Sequence, residues 1–425
     1  MPNEGLATDD NRSQVNGTGN SIENKTAAMP DRVEAPSASD LGLTIFDETS
    51  DLLAVSILTY GLAEFRKLIR GGKITPRDAI PGLPMTVSDA ANVLSLHLED
   101  VKREVDTATF DLYMTGANLV AEKLLKPRIE DEEEAMIMVF DDEQSERELV
   151  FSILVNPKKR RITVSFRGSV TIRDLVIDAK VSLVQIPNPV EHGTTVGIHC
   201  GFRDYMYGKT VRHEGEQRKI DSIRDQLFAV VDKYPQYRIV ITGHSLGGAL
   251  ATLLAFELGA RSDNRIQETI TCVSFASPRV GNLAFANAFQ YLERTKKVRC
   301  IRVANEKDIF PEIPRIGTKN PCGIVCFSDR TYRHVGVLLA LLRDGGYKIS
   351  FPQDYHHPVR LFFRDWFKSA QSKQQSLGRL ICRENLVENH SCMEYWTRLH
   401  RNECALEKIR LNEAYSCVAR RSLRR

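Results

Sequence analysis

The chain has 425 residues, of which 42% are hydrophobic, and a formal net charge of +3. This length suits one large α/β domain with additional helices, and the apolar fraction is sufficient to bury a sizeable core. A charge so close to zero gives no reason to expect nucleic acid as a partner. The nine cysteines follow no regular spacing, which favours free thiols in a reducing compartment and predicts no metal site.

The first 40 residues contain seven acidic and three basic residues and no aromatic residue. This composition predicts a disordered segment over residues 1–40, and it is unlike a secretory signal or a transit peptide. No apolar run approaches the ~20 residues that a membrane-spanning helix needs. We therefore expect a cytoplasmic protein, which could still contact a membrane surface.

Residues 41–130 have a mostly helical pattern of apolar residues, and we interpret them as a helical lead-in that packs on the domain that follows. After the acidic run Glu130–Glu134 the pattern changes to short β-rich runs alternating with helices. This alternation predicts an α/β fold with a largely parallel sheet. The predicted strands are Ala135–Phe140, Leu149–Val155, Arg161–Phe166, Arg238–Thr242, Thr271–Phe275 and Val298–Val303. The predicted helices are Ile220–Lys233, Leu246–Leu258 and Leu283–Thr295, and a last hairpin pairs Val335–Leu342 with Tyr347–Phe351.

The segment Gly243–Gly247 fits the pattern G-x-S-x-G and joins a predicted strand to a predicted helix. This is the placement of a nucleophile elbow, in which small neighbours let the helix pack closely and the serine Oγ project above the sheet. The N-terminus of the helix also favours a developing negative charge. We predict that Ser245 is a catalytic nucleophile; the alternative is a glycine-rich turn without chemistry.

A nucleophilic serine needs a histidine to take its proton and a carboxylate to orient that histidine. The expected chain order is serine, acid, histidine. Asp308 follows the predicted strand Val298–Val303 and is expected at the same edge of the sheet as Ser245, with Glu306 as the weaker candidate. Chain order alone does not identify the base, because more than one histidine follows Asp308.

Five segments in this order resemble the class 3 lipases, the family of the fungal triacylglycerol lipases. They are SFRGS at Ser165–Ser169, HCGF at His199–Phe202, GHSLGG at Gly243–Gly248, SFASPRVGN at Ser274–Asn282 and NEKDIFPEIP at Asn305–Pro314. The resemblance covers about residues 135–400 and implies an α/β-hydrolase fold and hydrolysis of acylglycerol or related esters without a cofactor. We place a class 3 lipase-like domain at residues 131–400 and a basic tail at 401–425.

The resemblance also implies roles for individual residues. Ser169 corresponds to the family's oxyanion residue, and the backbone N–H of Leu246 would supply the second donor. His390 matches the family's D-H-S-x-x-x-Y stretch, with Asn389 in place of the aspartate, and is the preferred base. His357 remains the alternative because His390 lies so far along the chain from the proposed acid, and His334 resembles a strand position of the family instead.

Residues 170–178 resemble the family's lid. Ile172, Leu175 and Val176 share one face of a short predicted helix, and this face could cover the site in water and turn toward lipid. Leu175 stands where fungal lids often carry tryptophan, and a helix that merely packs on the core is the alternative.

Together these patterns predict a serine carboxylester hydrolase, a lipase that cleaves acylglycerols through an acyl-enzyme. The alternatives are a phospholipase A1 or galactolipase of the same fold, and a non-catalytic lipase-like scaffold. From Lys368 onward the chain contains twelve basic and six acidic residues. This excess of positive charge favours peripheral contact with a membrane or lipid-droplet surface, although a solvated chain end is the simpler interpretation.

Overall fold

The computed structural model describes residues 43–77, 81–107, 109–111, 113–114, 134–142, 149–169, 182–212, 215–314, 331–350, 388–411 and 413. The helices in these ranges are α1 (Ile45–Arg70), α2 (Val87–Leu96), α3 (Leu98–Glu104), α4 (Cys200–Tyr207), α5 (Lys219–Lys233), α6 (Leu246–Gly259), α7 (Leu283–Arg294), α8 (Cys392–Arg401) and α9 (Glu403–Leu406). The strands are β1 (Met85–Thr86), β2 (Met136–Asp141), β3 (Phe151–Asn156), β4 (Arg161–Phe166), β5 (Leu183–Pro187), β6 (Thr195–His199), β7 (Lys209–Arg212), β8 (Gly215–Arg218), β9 (Arg238–His244), β10 (Ile270–Phe275), β11 (Val298–Asn305), β12 (Val337–Leu341) and β13 (Tyr347–Ser350).

In the described part of the chain, nine strands form the main sheet in the order β1-β2-β3-β4-β9-β10-β11-β12-β13. The neighbouring pairs from β4 to β12 are parallel, and the pairs toward both edges are antiparallel. This order confirms the predicted α/β class with a largely parallel central sheet. The strands and helices predicted from the sequence are also confirmed, with shifts of one or two residues at their ends.

Two small antiparallel ribbons, β5–β6 and β7–β8, and the short helix α4 were not predicted from the sequence. In β5 only Ile186 is buried, so the strand lacks the alternation of apolar and polar residues that marks a half-buried strand. Helix α4 begins where the ring Nδ1 of His199 accepts a hydrogen bond from the Gly201 N–H at 3.1 Å. Histidine is not among the residues that usually signal such a start.

Different helices cover the two faces of the sheet. In β9, Ile239 and Ile241 belong to the apolar cluster that includes α6, whereas Val240 belongs to the cluster that includes α1. Successive side chains of a strand point to opposite faces, so α6 and α1 cover opposite faces of β9. Nearly every residue of α6 is buried, as its mostly apolar sequence requires.

Helix α1 lies within the helical lead-in predicted for residues 41–130. A capping box defines its first turn: Thr44 Oγ1 accepts a hydrogen bond from the Asp47 N–H at 3.1 Å, and the Asp47 carboxylate accepts one from the Thr44 N–H at 3.4 Å. Further along, Ile57 and Tyr60 are buried in the same cluster as Val273 of β10. This part of the lead-in therefore packs directly on the sheet.

The segments that precede and follow the sheet in sequence meet at the start of α1. Thr44 forms an antiparallel bridge with Arg410, and the side chains of Leu406 and Leu411 are buried. The folded chain thus continues into the segment 401–425, predicted as a basic tail, at least to Leu411. The predicted disordered segment 1–40 and residues 414–425 lie outside the described residues. Among the helices described, none has the length and apolar character needed to cross a bilayer.

A buried ionic cluster fixes α1 to the sheet at the start of β4 and β9. The Glu48 carboxylate accepts from Arg238 Nη1 at 2.6 Å and Nη2 at 2.9 Å, and from Arg161 Nη1 at 3.1 Å. Burial by itself would raise the pKa of Glu48, but the two guanidinium groups outweigh it and lower that pKa to about 2. The glutamate is therefore an anion that neutralises cations from two adjacent parallel strands.

We expect Glu48→Gln to destabilise the fold, because it leaves the buried Arg238 without its carboxylate and removes one of the two carboxylates that bind Arg161, the other being Asp51. Removing one partner of a buried ion pair costs about 3–5 kcal/mol. The lowered pKa also predicts that wild-type stability falls as the pH drops from the ordinary value near 4.5 toward 2, and that Glu48→Gln lacks this part of the decline. Urea denaturation at several pH values measures both effects.

The matched control is Glu99→Gln, the same chemical change at an exposed glutamate of α3. It should leave the free energy of unfolding within about 0.5 kcal/mol of the wild type. Equal stability of Glu48→Gln and Glu99→Gln would show that the buried cluster does not stabilise the fold.

Candidate active site

Ser245 occupies the turn between β9 and α6. Its backbone has φ 56° and ψ −125°, an unfavourable conformation for a residue with a side chain, and its N–H donates to the Phe275 carbonyl at 2.8 Å. A Cβ at Gly247 would lie 2.3 Å from the Phe166 carbonyl oxygen, so only glycine lets α6 start this close to β4. The turn holds the serine in the strained strand–turn–helix geometry of a nucleophile elbow.

Ser245, His390 and Asp308 form a continuous hydrogen-bonded line. His390 Nε2 lies 2.9 Å from Ser245 Oγ, and His390 Nδ1 lies 2.9 Å from Asp308 Oδ2 and 3.2 Å from Oδ1. All three residues are buried. Because a carboxylate can only accept, Nδ1 carries the hydrogen and donates to Asp308, which leaves Nε2 free to accept from the serine hydroxyl.

The acid is held by groups that sequence reasoning did not identify as part of the site. Asp308 follows β11 and accepts from the Phe310 N–H at 3.0 Å and from the Tyr395 hydroxyl at 2.8 Å. The same tyrosine oxygen accepts from the Asn305 N–H at 3.0 Å. Burial, together with the nearby Asp308 carboxylate, raises the pKa of Tyr395 well above its usual value, so it remains a neutral donor. The only sequence signal for Tyr395 is its spacing from His390 in the lipase-like stretch.

His244, the residue before the nucleophile, supports the backbone of His390. Its Nε2 lies 2.9 Å from the His390 carbonyl oxygen, so Nε2 carries the hydrogen and donates. Burial, and secondarily the neighbouring His390, lowers the pKa of His244 well below 6.5, which keeps this imidazole neutral. The hydroxyl of Tyr60, on α1, lies 3.5 Å from His244 Nδ1. The pattern G-x-S-x-G leaves this position open, so the motif contains no signal for its role.

The loop after β4 reaches the nucleophile through Gly168. A Cβ at Gly168 would lie 2.5 Å from the His244 carbonyl oxygen and 3.2 Å from Ser245 Cβ. Ser169, the next residue, is half-buried. Leu246 is the first residue of α6, where backbone N–H groups have no acceptor within the helix. Ser169 and Leu246 are the two residues predicted from the sequence to bind the oxyanion. Ser169 directly follows Gly168, which lies against the elbow, and Leu246 directly follows Ser245.

Two weaker candidates have other contacts. The Glu306 carboxylate accepts from the Arg343 N–H at 3.1 Å. His334 Nε2 lies 2.6 Å from the Pro311 carbonyl, and burial lowers its pKa well below 6.5. The alternative base His357 and the lid residues Ile172, Leu175 and Val176 lie outside the described residues. Within the described ranges, no group of three or more His, Cys, Asp or Glu is arranged to hold a metal ion.

The central parallel sheet and the elbow at Ser245 define an α/β-hydrolase fold. Within that class, residues 163–318 match the model of the class 3 lipase family.

Three curated proteins illustrate the likeness. A lipase of Rhizomucor miehei is 35% identical over 156 residues, 37% of this chain and 38% of that protein. The chloroplastic phospholipase A1-Igamma3 of Arabidopsis thaliana is 30% identical over 204 residues, 43% of this chain and 37% of that protein. The chloroplastic galactolipase DONGLE of the same plant is 30% identical over 201 residues, 43% of this chain and 41% of that protein. The chain thus spans about two fifths of the length of these relatives.

A fluorophosphonate probe tests the geometry directly, because it reacts with a serine whose proton is removed by a neighbouring base. We expect labelling at Ser245 in the wild type and its loss in Ser245→Ala and His390→Ala, while His357→Ala keeps it. Mass spectrometry of the labelled peptide identifies the site.

The control is Ser277→Ala, which removes another buried serine hydroxyl, one that donates to the Pro278 carbonyl. It should keep the labelling. Loss of labelling in His357→Ala, with retention in His390→Ala, would move the base to His357.

Proposed function

We propose that this protein is a serine carboxylester hydrolase that acts on acylglycerols through an acyl-enzyme. The observation that carries the proposal is the buried line from Ser245 Oγ through His390 to Asp308, with 2.9 Å at each link, built on a strained elbow. A non-catalytic scaffold would have no need to keep a serine in an unfavourable backbone conformation beside a correctly oriented imidazole.

In the proposed reaction, Ser245 Oγ attacks the ester carbonyl carbon while His390 Nε2 takes its proton. Asp308 keeps the imidazole in the required tautomer and stabilises its charged form. The backbone N–H of Leu246 and the Ser169 residue would donate to the oxyanion of the tetrahedral intermediate. Collapse of this intermediate breaks the bond to the alcohol, which takes the proton from His390. Water then attacks the acyl-enzyme by the same sequence and releases the fatty acid.

The choice of acylglycerols as substrates is supported by the likeness to a Rhizomucor miehei protein named lipase. The likeness to proteins named phospholipase A1 and galactolipase supports a second candidate, hydrolysis of an acyl ester in a phospholipid or galactolipid. The candidate substrates differ in their head groups. A head group would be recognised by residues around the rim of the site and not by Ser245, His390 and Asp308.

The function is tested with purified full-length protein on soluble p-nitrophenyl esters and then on triacylglycerol, phosphatidylcholine and galactolipid. We expect ester hydrolysis by the wild type, with kcat lower by several orders of magnitude in Ser245→Ala. The lipid with the highest kcat/KM identifies the substrate class. A folded wild-type protein that hydrolyses none of these esters would contradict the proposal.

Peripheral contact with a lipid surface is part of the same proposal, and the cytoplasmic location stays a prediction. Two exposed apolar side chains lie close in sequence to the site: Ile313, 37% exposed, is five residues after Asp308, and Met393, 38% exposed, is three residues after His390. The ring of Phe310, between Asp308 and Ile313, lies 4.0 Å from the His390 ring, centroid to centroid. Apolar groups around a site are suited to an insoluble substrate.

We expect the double substitution Ile313→Glu and Met393→Glu to lower activity on emulsified lipid by about 10-fold, since burying two carboxylates in lipid is unfavourable. Activity on a soluble ester should change little. The matched control is Leu96→Glu with Tyr291→Glu, two apolar residues that are each 50% exposed in α2 and α7. Equal losses in both double variants would show that these two side chains have no special role at the lipid surface.

A further inference from the structure

Arg398 is a buried arginine of α8 that has no role in the reaction scheme. Its side chain is 2% exposed. Its guanidinium donates from Nε to Glu394 Oε1 at 2.6 Å, from Nη1 to the Glu306 carbonyl at 2.9 Å and from Nη2 to Asn389 Oδ1 at 2.6 Å. The group is planar and rigid, so it fixes the directions of its three acceptors relative to one another.

Two of these acceptors adjoin the proposed acid and base. Glu306 lies two residues before Asp308, in the turn that follows β11, and Asn389 immediately precedes His390. The two loops are far apart in sequence, yet the same guanidinium binds both. Arg398 therefore sets the position of one loop relative to the other.

Other contacts of α8 hold the same loops in different ways. Tyr395, three residues before Arg398 on α8, binds Asp308 directly. The Asn305 side chain donates from Nδ2 to the Asn389 carbonyl at 3.0 Å. The link from Arg398 differs from both, because it holds the Asn389 side chain and the Glu306 carbonyl on one rigid group.

The charge on Arg398 is balanced by Glu394, one turn earlier in α8. In the lipase-like stretch an aspartate is expected at the position of Asn389, and such an aspartate would pair with the guanidinium as an ion. Asparagine offers a neutral acceptor instead, so the contact orients the loop without adding a second negative charge beside His390.

We propose that Arg398 is a positioning residue for the hydrolase reaction, an inference that rests on the proposed function. By fixing Asn389 and Glu306 together, it keeps His390 at hydrogen-bonding distance from both Asp308 and Ser245. Catalytic rates are sensitive to this geometry: a displacement of about 1 Å lowers them about 100-fold.

The first test variant is Arg398→Lys. It keeps the positive charge and most of the aliphatic side chain, but replaces the planar guanidinium by a single ammonium group. With a soluble p-nitrophenyl ester, we expect kcat to fall about 10- to 100-fold and KM to change less than about two-fold. The second variant is Arg398→Ala, in which millimolar guanidinium added to the assay should restore part of the lost kcat. Rates are divided by the folded fraction measured by circular dichroism.

The matched control is the same pair of substitutions at Arg161, another arginine that is 2% exposed and binds a buried glutamate. Arg161 lies at the start of β4, away from the elbow at the end of β9, so its loss should lower stability. Its alanine variant should show no guanidinium-dependent rise in kcat per folded molecule.

A wild-type kcat in Arg398→Lys would overturn the positioning role and leave the proposed function intact. Equal guanidinium rescue of the Arg161 and Arg398 alanine variants would also overturn it. A wild-type protein that neither hydrolyses esters nor reacts with a fluorophosphonate would instead contradict the proposed function, and this is seen before any variant is compared.

Discussion

The close approach of α6 to β4 is the constraint on which the site depends. A helix that starts immediately after β9 fits only if Gly247 lies against the Phe166 carbonyl, where a Cβ would be 2.3 Å from the oxygen. This approach bends the chain sharply at Ser245 and turns the serine toward the loop of Gly168. The nucleophile and the proposed oxyanion loop are thus brought together by a single packing requirement.

Several other site residues come from outside residues 163–318, the segment that matches the family model. His390, Tyr395 and Arg398 lie near or within α8, and Tyr60 lies in α1. These helices belong to the chain segments that meet at the bridge between Thr44 and Arg410. The sheet therefore supplies the nucleophile and the acid, while the base depends on the packing of segments from both sides of the sheet in sequence.

Two buried polar groups beside the elbow are neutral, whereas the buried cluster at the start of β4 and β9 is ionic. Around the elbow, burial keeps His244 neutral and Tyr395 protonated, so both act as hydrogen-bond donors without adding charge. At the start of β4 and β9, by contrast, Glu48 is an anion enclosed by two guanidinium groups. Positive charge that develops on His390 during the reaction would face the Asp308 carboxylate, which lies 2.9 Å from its Nδ1.

The sequence by itself determined the strands and helices of the central sheet, because their apolar runs are long and the glycine-bounded elbow has a specific pattern. The ribbon β5–β6 was missed because β5 buries a single side chain and so shows no periodicity. From the sequence, Asp308 is a candidate acid and His390 and His357 are candidate bases, but the distances between these residues cannot be derived from it. Only the tertiary structure decided that His390 lies between Ser245 and Asp308, and that His244, Tyr395 and Arg398 hold the groups around it. Most of these contacts join residues more than 80 positions apart, and the local sequence pattern does not reveal them.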